Sequence, residues 1–270
     1  MLRPLLAWAW LLALALPASA APKAPKIWHE PQTGMAFVAL PKGCFQMGTP
    51  PKAIQQVDES LKAVSATLAS DETPQHEVCV DAFWIGQTEV RASDWAKVMG
   101  EPAPFGLDNA PAGGIRFEAA QEFARRLTQL STGPNRFRLP TEAEWEYACR
   151  GGTRKEKMPF IADQIDIAWY SVELQRTSQP SPVGQLKPNA WGLYDMLGNV
   201  WEWVADAYHP AAYAKHALYN PQHKDAPGGE RVIRGASYRS DYIQLRCANR
   251  SSYSATETLG QIGLRLVRQP

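Results

Sequence analysis

The sequence contains no Cys-x-x-Cys pair, no surplus of either charge and, beyond Leu16, no long apolar run. Each absence removes a class of function. Without the cysteine pair, a dithiol redox motif or a zinc knuckle has no support. With 28 Lys and Arg against 27 Asp and Glu, the chain lacks the concentrated basic face that nucleic acid demands. No segment after the N-terminus has the ~20 apolar residues of a spanning helix, so no transmembrane segment is expected in the mature chain. No Gly-x-Ser-x-Gly elbow surrounds Ser237 or Ser240, which leaves a serine hydrolase without its framework.

The N-terminus does carry a pattern. Arg3 precedes an apolar run from Leu5 to Leu16, then Pro17 and the small residues Ala18, Ser19 and Ala20. That is a secretory signal peptide, residues 1–20, with cleavage expected after Ala20. Residues 21–33 read as a flexible, Pro- and Lys-rich lead-in to one domain spanning 34–270. Four cysteines remain, Cys44, Cys79, Cys149 and Cys247. An even count in an exported chain favours disulfides, and four cysteines allow three pairings, among which spacing does not choose.

Along the chain, "GMAFVALPKGCFQMG" predicts a strand pair with a turn near Pro41-Lys42-Gly43, and Glu77 to Ile85 predicts a further strand. "RASDWAKVMG" predicts a short helix with Ser93 as its N-cap. "RFEAAQEFARRLTQL" predicts a longer one through Phe117, Ala120, Phe123, Ala124 and Leu127. Thr141 with Glu144 forms a capping box for a helix that ends at Gly151. From Gly152 onward the chain reads as loops, with short strands only at "RVIRGASY" and "IGLRLVR". Trp169, Trp191, Trp201 and Trp203 supply large surfaces to bury there, so the expectation is an α+β, compact, loop-rich fold.

"FVALPKGCFQMG", "DETPQHEVCVDAFWIGQTEV", "RLPTEAEWEYACRGG", "PNAWGLYDMLGNVWEW", "RVIRGASY" and "IGLRLV" follow one another in an order that resembles the formylglycine-generating enzyme (sulfatase-modifying factor) family. The resemblance covers about Gly34 to Arg268 and implies that family's fold, related to C-type lectins. It implies a structural calcium ion in "GNVWEWVAD", held by Asn199, Glu202 and the Val200 carbonyl; these are hard oxygen ligands of the kind calcium takes. Asp166 and Ser171 lie where a second ion would be, but the acidic residues that should follow are missing. Active members hold copper on two cysteines in the segment after the "RGGSY" turn. Here those positions fall on Ser240 and Tyr242, neither a soft ligand, so no copper and no catalytic residue are expected. Ser240, Asp241, Tyr242, Asn249 and Arg250 mark the cleft, with Arg250 expected to meet Asp241, a ligand carboxylate or the partner of an internal salt bridge. The resemblance also pairs Cys247 with Cys149. Cys44 and Cys79, on neighbouring strand-like segments, are expected to form the second bridge.

One segment departs from the family. At 54–70, Ile54, Val57, Leu61, Val64 and Leu68 form an apolar helical stripe, which packs on its own domain or docks a partner. His209, His216 and His223 recur every seven residues, wider than metal-binding histidines usually stand. The resemblance implies two functions for an exported member without the copper cysteines. One is a periplasmic regulatory protein of type VI secretion that promotes a Ser/Thr kinase from its periplasmic side, itself free or membrane-associated through that partner. The other is an enzyme of altered chemistry, acting on a siderophore or peptide.

Overall fold

The stretch Ala36–Met47 contains two strands that go to different sheets. β2 (Ala36–Leu40) lies between β1 (Ile27–His29) and β5 (Phe83–Gly86), whereas β3 (Gly43–Met47) pairs with β4 (His76–Val80). The expected strand pair around Pro41 is therefore not one. Cys44 stands directly opposite Cys79 in the β3–β4 register, and their disulfide fixes β3 to β4. The predicted strand Glu77–Ile85 likewise divides at Asp81-Ala82 into β4 and β5. The computed structural model describes residues 24–50, 70–152, 168–169, 179–225 and 229–269. The N-terminal leader, the stripe from Ile54 to Leu68, Asp166 and Ser171 lie outside the described residues.

With β6 (Arg136–Arg138) and β13 (Val267–Gln269), the first sheet runs β1–β2–β5–β13–β6, antiparallel throughout. A two-residue parallel pair joins β7 (Ala168–Trp169) to β8 (Leu197–Gly198). The second sheet is built on β9 (Trp201–Ala207). It lies between β10 (Glu230–Arg234), antiparallel, and β12 (Ile262–Leu264), parallel; β11 (Arg250–Ser254) pairs on β10. "WEWVADA" is thus a central strand where a loop was expected. Six of the seven β9 residues are buried, so the apolar–polar alternation of a half-exposed strand is lost.

Helix α1 (Ala92–Met99) starts one residue before Ser93. Arg91 flanks it, its guanidinium 2.7 Å from Asp94 in the first turn, so Ser93 is helical and not the cap. Helix α2 (Phe117–Leu130) buries the predicted stripe, with Phe123 stacked on Trp95 of α1 at 5.3 Å between ring centres. Helix α3 (Glu142–Cys149) has the predicted capping box, Glu144 N–H donating to Thr141 Oγ1 and Thr141 N–H to Glu144 Oε2. All eight α3 residues are buried, three glutamates among them. Among the described residues no helix is long and apolar enough to cross a membrane.

Cys149 at the end of α3 bonds Cys247, closing 98 residues. Chain-entropy estimates value such a closure at about 4–5 kcal/mol. The Cys149→Ala, Cys247→Ala double variant should lose about that much in denaturant unfolding. A loss below about 1 kcal/mol would show that the unfolded chain is not limited by this loop.

Candidate functional site

After β10 the chain makes a closed turn. Ser237 N–H donates to Ser240 Oγ at 3.0 Å, Ser240 N–H returns to the Ser237 carbonyl at 2.9 Å, and Ser237 Oγ donates to Gln261 at 2.9 Å. Both serines are buried. The Ser240 hydroxyl therefore faces its own turn. Asp241 is exposed, and Tyr242 opens the 3-10 turn Tyr242–Gln244. All four cysteines are in disulfides, so no thiol remains for a soft metal.

The remaining two cleft candidates lie inside the protein. Asn249 and Arg250 are only 2% and 4% exposed. Arg250 does not meet Asp241. It grips Glu142 of α3 with Nε and Nη2, at 2.8 and 2.9 Å, and gives Nη1 to the Asp71 and His209 carbonyls. Strand register explains the redirection, because Arg250 on β11 stands opposite Arg234 on β10 and both guanidinia turn toward α3. Arg234 bonds Glu146 at 2.5 Å and Glu142 at 3.2 Å, while Arg150 takes the other Glu146 oxygen. Burial pushes the Glu146 carboxyl up, but Arg150, Arg234 and the Gly48 amide together hold it below its ordinary value. Nearby, Arg246 clasps Glu72 with two bonds of 2.6 Å while Thr49 donates to Glu72.

The loop expected to hold calcium has partners of its own. Glu202 accepts from both Arg265 and the Trp145 indole. The Asn199 side chain donates to Glu89 and the Ser181 carbonyl and accepts from Ser181 N–H; Val200 N–H donates to Glu89. Burial, then the negative charges of Asp195 and Glu202, push the Glu89 carboxyl well up. Crowded buried carboxylates are the setting a divalent cation relieves, so the donor chemistry fits calcium. Glu202, however, already faces a guanidinium, and calcium would have to share it with Arg265.

Sequence reasoning missed the groups behind Arg250. Tyr213 OH lies 3.4 Å from both Glu142 and Glu146. Asp206 accepts backbone N–H bonds from Glu142 and His223, each 2.8 Å. Each of the three histidines dismissed on spacing meets another histidine: His209 and His223 each other, at 5.6 Å between rings, and His216 the β4 residue His76, at 3.1 Å between ring nitrogens. Seven-residue spacing carried no such signal, since a loop and not a helix brings them round.

Two of these groups oppose each other with pH. Burial, reinforced by Glu142, pushes Asp206 up to about 7. Its folded carboxyl keeps a proton that the unfolded one sheds near its ordinary pKa of about 4. That stabilisation is complete below about pH 4 and lost as pH rises through about 7. Burial drives His216 down to about 4, so its share is present above about pH 6.5 and lost as pH falls through about 4. Relative to wild type, Asp206→Asn should melt at temperatures that climb more steeply between about pH 4 and 6.5. His216→Asn should instead decline more steeply toward about pH 7. Variant curves parallel to wild type would refute the opposition.

Comparison with known proteins places this geometry. The model of the sulfatase-modifying factor enzyme 1-like domain matches residues 23–270. The chain is 31% identical over 199 residues to the formylglycine-generating enzyme of Streptomyces coelicolor, covering 68% of this chain but only 60% of that enzyme. It is 40% identical over 118 residues to the serine/threonine-protein kinase pkn1 of Chlamydia caviae, 42% of this chain and 18% of the kinase. The solved structure of PvdO from Pseudomonas aeruginosa superposes with a TM-score of 0.77 at 26% identity, covering 93% of this chain and all of that one. The chain therefore belongs to the sulfatase-modifying factor (formylglycine-generating enzyme-like) family.

Proposed function

We propose that this is a non-catalytic member of its family, exported to the periplasm, that binds and regulates the outer part of a membrane-spanning Ser/Thr kinase of type VI secretion. One observation carries the loss of catalysis. Every cysteine is spent in a disulfide, and Ser240, standing where the oxidase has a thiol, is buried in a hydrogen-bonded turn. Copper-thiolate oxidation needs soft sulfur ligands, and a hydroxyl is a hard one. The signal-peptide pattern and the two disulfides support export. The likeness to a stretch of the kinase pkn1 supports a kinase as the partner.

Kinase-bearing membrane vesicles with the mature chain added on the outer side provide the test. Substrate phosphorylation should rise, and a level unchanged by saturating protein would overturn the regulatory reading. The end-to-end likeness to PvdO favours a second reading, an enzyme of altered chemistry acting on a siderophore or peptide. Turnover of such a substrate by the purified protein would replace the first reading with the second.

Calcium at Asn199, Val200 and Glu202 belongs to the same proposal, as a structural ion that takes no part in chemistry. An ion bound only by the folded chain adds about 2.7 kcal/mol at a hundredfold excess over its Kd. Chelator-treated protein should melt at a higher temperature when millimolar calcium is restored. No shift, with no heat in calorimetric titration, would remove the ion.

A further inference from the structure

Three depressions adjoin one another on the face that carries the edge strand β6. The first, about 430 Å³, lies between α2 and β6; the second, about 350 Å³, lies at the start of α3; the third, about 370 Å³, lies beyond the 3-10 turn Ala212–Lys215. Arg138, Ala205 and Gln269 line both the first and the second, and Asn220 and Gln222 line both the second and the third. The three are thus successive parts of one groove. Its lining includes neither Ser240 nor Asp241.

The charge of the groove is uneven. Arg125, Arg136, Arg138, Lys215 and Lys224 face only two carboxylates, Asp81 and Glu144. Arg138 is paired with Glu144 at 2.6 Å, and Arg125 with Glu122 outside the lining. Asp81 is bonded to the Asn220 amide. Arg136, Lys215 and Lys224 are exposed and form no salt bridge among the described residues. His216 and His223 flank the two lysines in the third depression. A groove with unanswered cations at both ends is complementary to a negatively charged occupant that reaches both.

The neutral polar lining narrows the class. Gln121, Gln222 and Gln269 are exposed along the groove, and an amide side chain both donates and accepts. A polypeptide backbone asks for donors and acceptors together, whereas a phosphate or carboxylate asks for donors alone. A membrane surface would call for exposed apolar side chains beside the cations. Phe83, Phe137 and Leu139 line this groove but are buried.

We infer that this groove takes an extended, acidic polypeptide segment of a partner protein. The inference rests on the binding function proposed above and adds the surface and the partner's chemistry. Glutamates or aspartates of the segment meet Arg136 at one end and Lys215 and Lys224 at the other, and the amides take its backbone between them.

The test uses the full mature chain and a fluorescein-labelled peptide of alternating glutamate and serine, read by anisotropy at low salt. Arg136→Glu, Lys215→Glu, Lys224→Glu combined should weaken binding by at least about tenfold and flatten its salt dependence. The corresponding triple glutamine variant should fall between, and Asp241→Asn should bind as wild type. Unchanged melting temperatures and thiol counts establish that the variants fold. The proposal is overturned if wild type does not bind the peptide or the triple glutamate variant binds it equally. It is also overturned if anionic phosphatidylglycerol vesicles bind and the peptide does not. Kinase activation in the vesicle assay is read in parallel. Activation retained by a triple glutamate variant that still binds the peptide defeats the groove alone; peptide binding lost in that variant, with no activation by wild type, defeats the regulatory reading alone.

Discussion

The helix from Glu142 to Cys149 is enclosed on all sides, and two of its carboxylates must therefore be answered inside the protein. Glu142 and Glu146 are at most 1% exposed. Three guanidinia answer them from three parts of the chain: Arg150 just past the helix, Arg234 on β10 and Arg250 on β11. Removing one partner of a buried ion pair typically costs 3–5 kcal/mol, since the other charge is left uncompensated in low dielectric. These pairs tie β10 and β11 of the second sheet to α3, and a shift of either strand would break them. They also require glycine at position 48. There φ is +92°, an added Cβ would run into the Glu72 carbonyl, and the Gly48 N–H is given to Glu146.

The same enclosure explains the perturbed groups around it. Asp206 sits within hydrogen-bonding distance of the first turn of α3, and the Glu142 charge adds to burial in keeping its proton on. Tyr213, between the two glutamates, is pushed well above its ordinary value for the same two reasons. The guanidinia hold both glutamates in place, and the acids beside them, Asp206 and Tyr213, are the groups pushed up. Such perturbation is a mark of functional sites, but ion-pair networks produce it as well. Here each perturbed group is accounted for by its place in the network.

Local rules made the amphipathic parts legible. The stripe Phe117, Ala120, Phe123, Ala124, Leu127 and the box Thr141–Glu144 each reflect one helix face or one helix end. Four cysteines leave three pairings open; the family order of segments pointed to Cys149–Cys247, and the neighbouring strand-like segments to Cys44–Cys79. β9 was not legible, because a strand covered on both faces has no period to read. For Arg250 the sequence left Asp241, a ligand carboxylate and an internal salt bridge open, and β10–β11 register turns it to the internal one, with Glu142. The paired histidines depended on a loop path that no spacing rule anticipates.

The turn that holds Ser240 is closed and buried. A metal-binding thiolate has to stay accessible to metal and substrate, whereas the Ser240 oxygen accepts the Ser237 N–H and is buried. Arg250, which sequence put in the cleft, is drawn inward by Glu142 and offers that cleft no charge. Arg136, Lys215 and Lys224, which form no salt bridge among the described residues, instead line the groove beside β6 and the 3-10 turn Ala212–Lys215. A scaffold whose interior charges are this tightly paired can keep its shape while its surface side chains change. Such a division of labour leaves one scaffold free to carry different surfaces, and with them different functions.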